Sequence, residues 1–509
     1  TRVGRLPLPE RVTAGGIQAL LQRRLDHVPA PYRPLLAKAA VSGRELDLRL
    51  LAHLSGDVNI DDWLTACVNA AVMDWRDGRW RFAHDKLREH IIDELDEAQR
   101  RALHRAVAEA IEAVYAQQLA QRAAILAYHW SHTEQRDKEY FYCRMAGDEA
   151  VAISAYSEAQ RFYERALEML LNGQVPHSDA EEITLRAQLG DMHQALGDYE
   201  TAHVHLQSAL RLARAIQDAQ LTAEALIGLG WVTMRQGDME QAARHSAEAL
   251  EIARAGDDPR MLVEASYLAG LIELIEGRHE VARSYLMECL PQARNLGDQT
   301  HIANITNALG AVAEGLGQYD EAYRCLTEAQ EIAAKLGNRL LAANAQGNLG
   351  RVEYVQGRYQ QANEHFNRAL QLFREIDNVY GEATVLYFLG FIEIALDRED
   401  TAAGYLRESI RLSMKIGAIT ITLIALCGIA RLRMRAGDHA GAVELLSMVL
   451  NHAASGGDVD VERESVPLLN ELGQLLPPDA LSAALERGRD GDLDSVVSGI
   501  LEVSQAAND

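Results

Sequence analysis

Between about Glu181 and Asp458 one unit is written seven times. A glycine recurs at Gly190, Gly230, Gly270, Gly310, Gly350 and Gly390, and Ala430 takes its place in the seventh copy. The step is 40 residues each time. Twelve residues further on stands an alanine in every copy: Ala202, Ala242, Ala282, Ala322, Ala362, Ala402 and Ala442. A second glycine falls between these marks at Gly197, Gly237, Gly277, Gly317, Gly357 and Gly437, with Asp397 the exception. Self-similarity at a fixed period of this size specifies a solenoid.

Within one unit the pattern is that of two helices. Leu185, Leu189 and Met192 lie on one helical face, and the next copy supplies Ala225, Leu229 and Val232. The glycine at 190 and the alanine at 202 let the paired helices approach closely. The first helix stops at Gly197-Asp198, Gly237-Asp238 and Gly277-Arg278. The second stops at Gly297-Asp298, Gly337-Asn338, Gly417-Ala418 or Gly457-Asp458, where left-handed backbone suits a helix end. A lone hairpin of this kind cannot bury its apolar face, so the copies must stack.

The net charge of −24 arises after the first hundred residues, where basic and acidic side chains balance. An acidic array is a poor phosphate binder, which argues against nucleic acid as a partner. Cys67, Cys143, Cys289, Cys325 and Cys427 are scattered and form no CxxC, the usage of reduced thiols in a cytoplasmic protein. No apolar run reaches the roughly 18 residues of a membrane span, and no signal peptide opens the chain. The chain begins at Thr1 without the start of a domain, which reads as a piece whose upstream partner lies elsewhere.

The pattern divides the chain into five parts. Residues 1–31 hold a Pro-marked linker (Leu6-Pro7-Leu8-Pro9-Glu10) and a helix. Residues 32–97 predict three short helices, at 33–41, 46–54 and 60–71, then strands at 72–75 and 79–83 joined by Asp77-Gly78, a hairpin signal; together these predict a winged helix. Residues 98–178 are connecting helices and a degenerate first repeat, in which Gly147, Ala159 and Ala166 echo Gly190, Ala202 and Ala209 after a three-residue slip. Residues 179–458 are the seven repeats. Residues 459–509 are a worn eighth repeat, broken at Pro477-Pro478, and a capping helix.

The spacing Leu-Gly-x6-Gly-x-Tyr/Met-x-x-Ala, best seen in Leu309-Gly310, Gly317, Tyr319 and Ala322, resembles the tetratricopeptide repeat, with a period longer than the 34-residue standard. It is similar to the longer repeats of kinesin light chains and of many bacterial signalling regulators. The expected fold class is therefore all-α: a right-handed tetratricopeptide-repeat superhelix of helical hairpins, preceded by the small winged helix.

A second resemblance lies upstream. Residues 35–44 (LLAKAAVSGR) and 81–89 (RFAHDKLRE) look like the winged-helix segment of bacterial STAND signalling ATPases. In that family the segment follows an AAA-type nucleotide-binding core and precedes a repeat sensor. A family motif places a histidine against bound ADP, and Phe82, His84 and Asp85 match it. The resemblance thus implies nucleotide sensing by His84 and Asp85, control of an upstream ATPase core and oligomerisation on activation. His84 equally suits packing or helix capping at a strand-to-helix junction. No GxxxxGK[ST] loop is present, and Gly15-Gly16 has no lysine after it. The chain is expected to be no enzyme and to hold no cofactor itself, ADP or ATP belonging to the upstream core.

Other chemistry is thin. His129 and His132 lack a companion set for a metal, and His203 and His205 fall on different helix faces. The expected wing offsets Arg76 and Arg79 with Asp74 and Asp77, which argues against DNA contact. In tetratricopeptide solenoids the first helix of each hairpin lines the groove. The groove-facing positions are then 184, 187, 188, 191 and 194 plus multiples of 40. They collect Trp231, Tyr267, Leu271, Asn304, Asn307, Asn344, Asn348, Arg351, Tyr354, Tyr387, Phe391 and Arg431. Amide donors, a cation and flat rings suit a protein or peptide ligand, or a small sugar-like molecule. The sequence thus reads as the sensor module of a STAND-type ATPase. The rival is a passive tetratricopeptide adaptor that holds a partner protein.

Overall fold

In the computed structural model, residues 14–455 and 459–502 are described. The expected linker at 6–10 and the helix end at Gly457-Asp458 lie outside them. The chain falls into two compact units, Thr1–His177 and Ser178–Asp509.

The first unit opens with helices α1 (Ala14–Asp26), α2 (Arg33–Ser42), α3 (Leu48–Leu54) and α4 (Ile60–Asn69). Asp47 and Asn59 start α3 and α4 by accepting bonds from backbone N–H groups of the first turn. Strands β1 (Met73–Arg76) and β2 (Arg79–Phe82) pair antiparallel, Met73 opposite Phe82 and Arg76 opposite Arg79. Asp77 and Gly78 both take positive φ, 52° and 79°, as a two-residue hairpin of this twist requires. This is the only sheet among the described residues, so the fold is all-α but for one hairpin.

Helix α5 (Asp85–Asp93) follows directly and is pinned to α2 by Arg88, whose Nε donates to the Ala40 carbonyl at 2.7 Å. Trp63, Phe82 and Leu87 are fully buried. Helices α6 (Glu97–Val114), α7 (Ala123–Ser131), α8 (Arg136–Ala152) and α9 (Tyr156–Leu171) complete the unit. In the α8–α9 hairpin, Tyr163 fills the space a side chain at Gly147 would need.

The second unit is the array. Its hairpins are α10 (Asp179–Ala195) with α11 (Tyr199–Ala215), α12 (Ala219–Gln236) with α13 (Met239–Ala255), and α14 (Pro259–Ile275) with α15 (His279–Leu296). Next come α16 (Gln299–Gly315) with α17 (Tyr319–Leu336) and α18 (Arg339–Val355) with α19 (Tyr359–Glu375). The last two are α20 (Val379–Ala395) with α21 (Glu399–Lys415) and α22 (Ile419–Arg435) with α23 (His439–Asn451). Asp218, Asp258, Asp298, Asn338 and Asn378 each cap a first helix by accepting from its first-turn N–H groups.

The repeated glycine has a packing reason. A Cβ at Gly310 would stand 2.6 Å from Leu326 Cγ, so the missing side chain is where the second helix inserts its leucine. The second hairpin departs from this. Ser246 replaces the leucine, and Leu268 of the following hairpin fills the space at Gly230 instead, its Cδ2 being 2.7 Å from where a Cβ would lie. At the turns Asp397 adopts φ 57°, the left-handed conformation that glycine supplies elsewhere.

Helices α24 (Val459–Leu475), α25 (Pro478–Arg489) and α26 (Leu493–Glu502) close the chain. Helix α24 packs on α22, α25 on α23, and α26 on α21. Ser447 Oγ donates to the Leu485 carbonyl at 2.7 Å.

The array also bends back on itself. Ile416, at the end of α21, lies against the turn of the first hairpin, its Cγ2 2.8 Å from where a Cβ on Gly197 would stand. Thr420 Oγ1 and Ala454 meet the next turn in the same way at Gly237, at 3.0 and 3.5 Å. Beside them the Arg235 guanidinium sits 4.0 Å from the centre of the Tyr380 ring. One apolar cluster accordingly runs through hairpins at both ends of the array, while Leu286 and Leu326 belong to separate clusters between them. No helix among the described residues is long and apolar enough to cross a membrane.

Candidate functional site

First helices of successive hairpins pack against one another as well as against their own partners, whereas second helices α11 to α19 pack chiefly on first helices. The array therefore curves with first helices inside, and the inner face is built from one or two positions per helical turn repeated at 40-residue steps.

The expected groove residues divide by what they already hold. Asn348 Nδ2 donates to Asn307 Oδ1 of the preceding hairpin at 3.2 Å. Arg351 donates to Glu314 at 2.5 Å. Burial opposes its charge, but Glu314 and Asp460 outweigh that and hold the guanidinium more firmly protonated than usual. Arg431 donates to Glu464 at 3.0 Å and lies 5.7 Å from the Phe391 ring. These groups are committed to the protein itself.

The aromatic residues separate likewise. Tyr387 and Phe391 are 4% and 3% exposed, packed 5.9 Å apart within α20, so they form core and offer no face for a ligand in this conformation. Tyr354 is half-buried against Tyr359 and Phe388. Trp231 and Tyr267, half-buried and 5.9 Å apart, remain reachable.

What is unspent is a ladder. Asn304 and Asn344 occupy equivalent positions in α16 and α18 and make no side-chain hydrogen bond among the described residues. The same position in α12 and α14 carries Glu224 and Glu264, and Asp191 stands on α10 beside them. No cation pairs with any of these three carboxylates among the described residues; Glu224 accepts only from Gln220, at 3.2 Å. Asp191 is exposed to solvent, and the crowding of the concave wall, with repulsion from Glu264 and Glu224, raises its carboxyl above the usual range. Burial also raises Glu224, with Asp218 and Asp258 adding to it and Gln220 opposing, and Glu264, with Glu224, Asp258 and Asp298 adding and His301 opposing.

The three carboxylates escaped the sequence reading because it gathered amides, rings and arginines. Position 184 plus 40 reads Thr184, Glu224, Glu264, Asn304, Asn344, and that column was the available signal.

His84 is the N-cap of α5, its Nδ1 accepting from Lys86 N at 3.2 Å, and it is exposed. Asp85 pairs with Arg44 at 3.0 Å. The local role of His84 is thus the capping one, and its outer edge is left open. His129 and His132 belong to a cluster with His104, Nδ1 of His104 lying 3.0 Å from Nδ1 of His129 and its ring stacked on His132 at 4.2 Å. Among the described residues no group of histidine, cysteine and acidic side chains has metal-binding geometry. His205 stacks on His193 at 5.5 Å, and His203 is half-buried.

Residues 181–255, 262–335, 301–375 and 341–415 match the tetratricopeptide repeat model. No curated protein matches the chain. Among solved structures it is similar to a STAND protein with a tetratricopeptide repeat sensor from Pyrococcus horikoshii. The identity there is 14%, with 94% of this chain and 68% of that one covered and a TM-score of 0.52. It is also similar to the Rap conjugation gene regulator of the plasmid pLS20 in complex with the Phr* peptide, at 14% identity, 81% and 98% coverage and a TM-score of 0.51. By fold the second unit is a tetratricopeptide-repeat superhelix.

Proposed function

We propose that this chain is the sensory and regulatory part of a STAND-type signalling protein, working in the cytoplasm and binding a peptide along the inner face of its repeats. The observation that carries the reading is the ladder of unspent side chains, Glu224, Glu264, Asn304 and Asn344, in register on four successive first helices. Amides at such a repeat suit the alternating donors and acceptors of an extended backbone. Carboxylates without cations, beside the partly open rings of Trp231 and Tyr267, favour a peptide with a cationic segment at the end nearer the first hairpins.

Two likenesses support this. One solved structure with this arrangement carries a tetratricopeptide sensor in a STAND protein, and another holds a peptide. In this reading 32–97 is the winged helix, the chain performs no catalysis of its own, and the exposed edge of His84 meets nucleotide held by an upstream core. Oligomerisation follows ligand binding. A passive adaptor would bind its partner with no effect on nucleotide.

The test uses fluorescein-labelled random octapeptides, in one pool biased to Lys and Arg at the N-terminal half and one biased to Asp and Glu. Fluorescence polarisation should show binding of the basic pool, weakened at least tenfold by Asn304→Ala/Asn344→Ala and by Glu264→Gln. Equal binding of both pools, or indifference to these changes, refutes the groove as the site.

A further inference from the structure

The contact between the two ends of the array is thin and out of sequence. In a solenoid each hairpin meets its neighbours, and nearly all the close packing of this array obeys that rule. Ile416 on Gly197, Thr420 and Ala454 at Gly237, and Arg235 on Tyr380 break it, joining the first two hairpins to the sixth and seventh across the intervening three. We propose that this seam is a latch: the array has a closed state, held by these contacts, and an open state in which the seam parts and the inner face is accessible from the side. The proposal deepens the peptide-sensor reading and rests on it only for the identity of what moves the latch.

Three observations carry it. The first is leverage. Hairpins three to five separate the seam partners, so a small change of angle at each interface between them adds up at the seam, where the contacts are few. The unspent amides Asn304 and Asn344 sit on hairpins four and five, midway along that arc. A ligand bridging them would fix the angle that the seam reads.

The second is the chemistry of the closure. Arg235 has no carboxylate partner among the described residues; its charge faces the Tyr380 ring at 4.0 Å and the Trp231 ring at 5.9 Å. Arg351 and Arg431, on the same inner side, are each paired with a glutamate. The seam cation is thus held by aromatic rings and the Tyr380 hydroxyl rather than by a carboxylate, a weaker tether than an ion pair with hydrogen bonds.

The third is the shape of the contact. Both turns that receive the far side are glycines with positive φ, 82° at Gly197 and 87° at Gly237, and the space above each is filled by Ile416 or Thr420. The two surfaces fit, so the closed state is a specific one. Close backbone approaches across the seam are nevertheless few beside those between neighbouring hairpins, so parting the seam leaves every hairpin intact.

The experiment uses the whole chain. In Gly237→Cys/Thr420→Cys the new thiols stand where a disulfide has room, since Thr420 Oγ1 is 3.0 Å from where the Gly237 Cβ would lie. Mild oxidation should give an intramolecular cross-link, seen as faster migration on a non-reducing gel and absent in either single variant. Arg235→Ala/Ile416→Ala should keep its far-UV circular dichroism, raise the radius of gyration in small-angle scattering, and speed amide exchange at 236–238 and 416–420 by roughly tenfold. The oxidised cysteine pair should slow exchange at the same places.

A natively helical double-cysteine protein that does not cross-link overturns the closed state. Scattering and exchange of Arg235→Ala/Ile416→Ala identical to the parent overturn the latch. Should that variant lose its helicity, the labelling rate of the thiol in Thr420→Cys decides instead. Full reactivity refutes closure, complete protection refutes opening, and slow labelling far above the global unfolding rate supports the switch. None of these readings needs a ligand, so failure of the peptide test leaves the latch standing and the reverse also holds.

Discussion

Arg351 of the fifth hairpin donates a 2.5 Å hydrogen bond to Glu314 of the fourth, and the glutamate side chain is only 7% exposed. The pair stitches two first helices together on the inner face. It converts a residue that looked like a ligand contact into an internal bond.

Removing one member should expose the cost of the other. Arg351→Ala leaves a buried carboxylate without its cation, and breaking such a pair costs on the order of 3–5 kcal/mol. Arg351→Met/Glu314→Leu removes both charges and should restore most of that loss. Urea denaturation followed by circular dichroism measures the three proteins. Equal destabilisation of single and double variants would show that the pair is not what couples the hairpins.

A second prediction concerns acid. His104 and His129 face each other on α6 and α7, and burial, followed for His129 by repulsion from His104 and for His104 by repulsion from His132, holds their imidazoles low, at about 4 and about 3. Arg88 adds to the repulsion at both, and Arg100 at His104. An unfolded histidine takes its proton near 6.5, so between that pH and about 4 the unfolded chain binds protons that the folded one refuses. Stability of the first unit should be full above 6.5 and fall as pH drops through that window. The loss from one such histidine is on the order of 2–3 kcal/mol. His129→Leu should flatten this slope, read from the fluorescence of the neighbouring buried Trp130. An unchanged acid midpoint would mean that these rings are not the acid-sensitive groups.

A third concerns the repeat glycine. Gly310→Val would force its side chain onto Leu326, whose Cγ is 2.6 Å from the Cβ position, so it should destabilise the array by about 1–3 kcal/mol. Adding Leu326→Ala makes room and should recover part of the loss, which a thermal melt of the double variant would reveal. Additive losses would place the cost elsewhere in the helix.

Periodicity made the architecture legible. Gly190 to Gly390 and Ala202 to Ala442 mark where helices touch, and steric contact at a fixed step is what a repeated sequence encodes most directly. Asp77-Gly78 announced its hairpin because positive φ restricts the residues that can serve. Three things were out of reach. A column of groove positions does not say which side chains are already bonded, so Arg351 and Asn348 looked free while Glu224 and Glu264 were passed over. Tyr387 and Phe391 also fell on the inner columns, but α20 is apolar nearly all round and buries them. The contact of Ile416 with Gly197 depends on curvature summed over several hairpins, and no local pattern carries that sum.

The glycine turns that meet Ile416 and Thr420 have one more consequence. An open solenoid tolerates gain or loss of a whole unit, because every junction it makes is like every other. Here the ends are fitted to each other, so the arc length between them is specified. Excising any one of hairpins three to five would leave each local interface looking normal and yet bring the wrong surfaces together. Deleting a whole repeat between Gly237 and Thr420 should therefore cost the seam even where it spares every neighbouring interface.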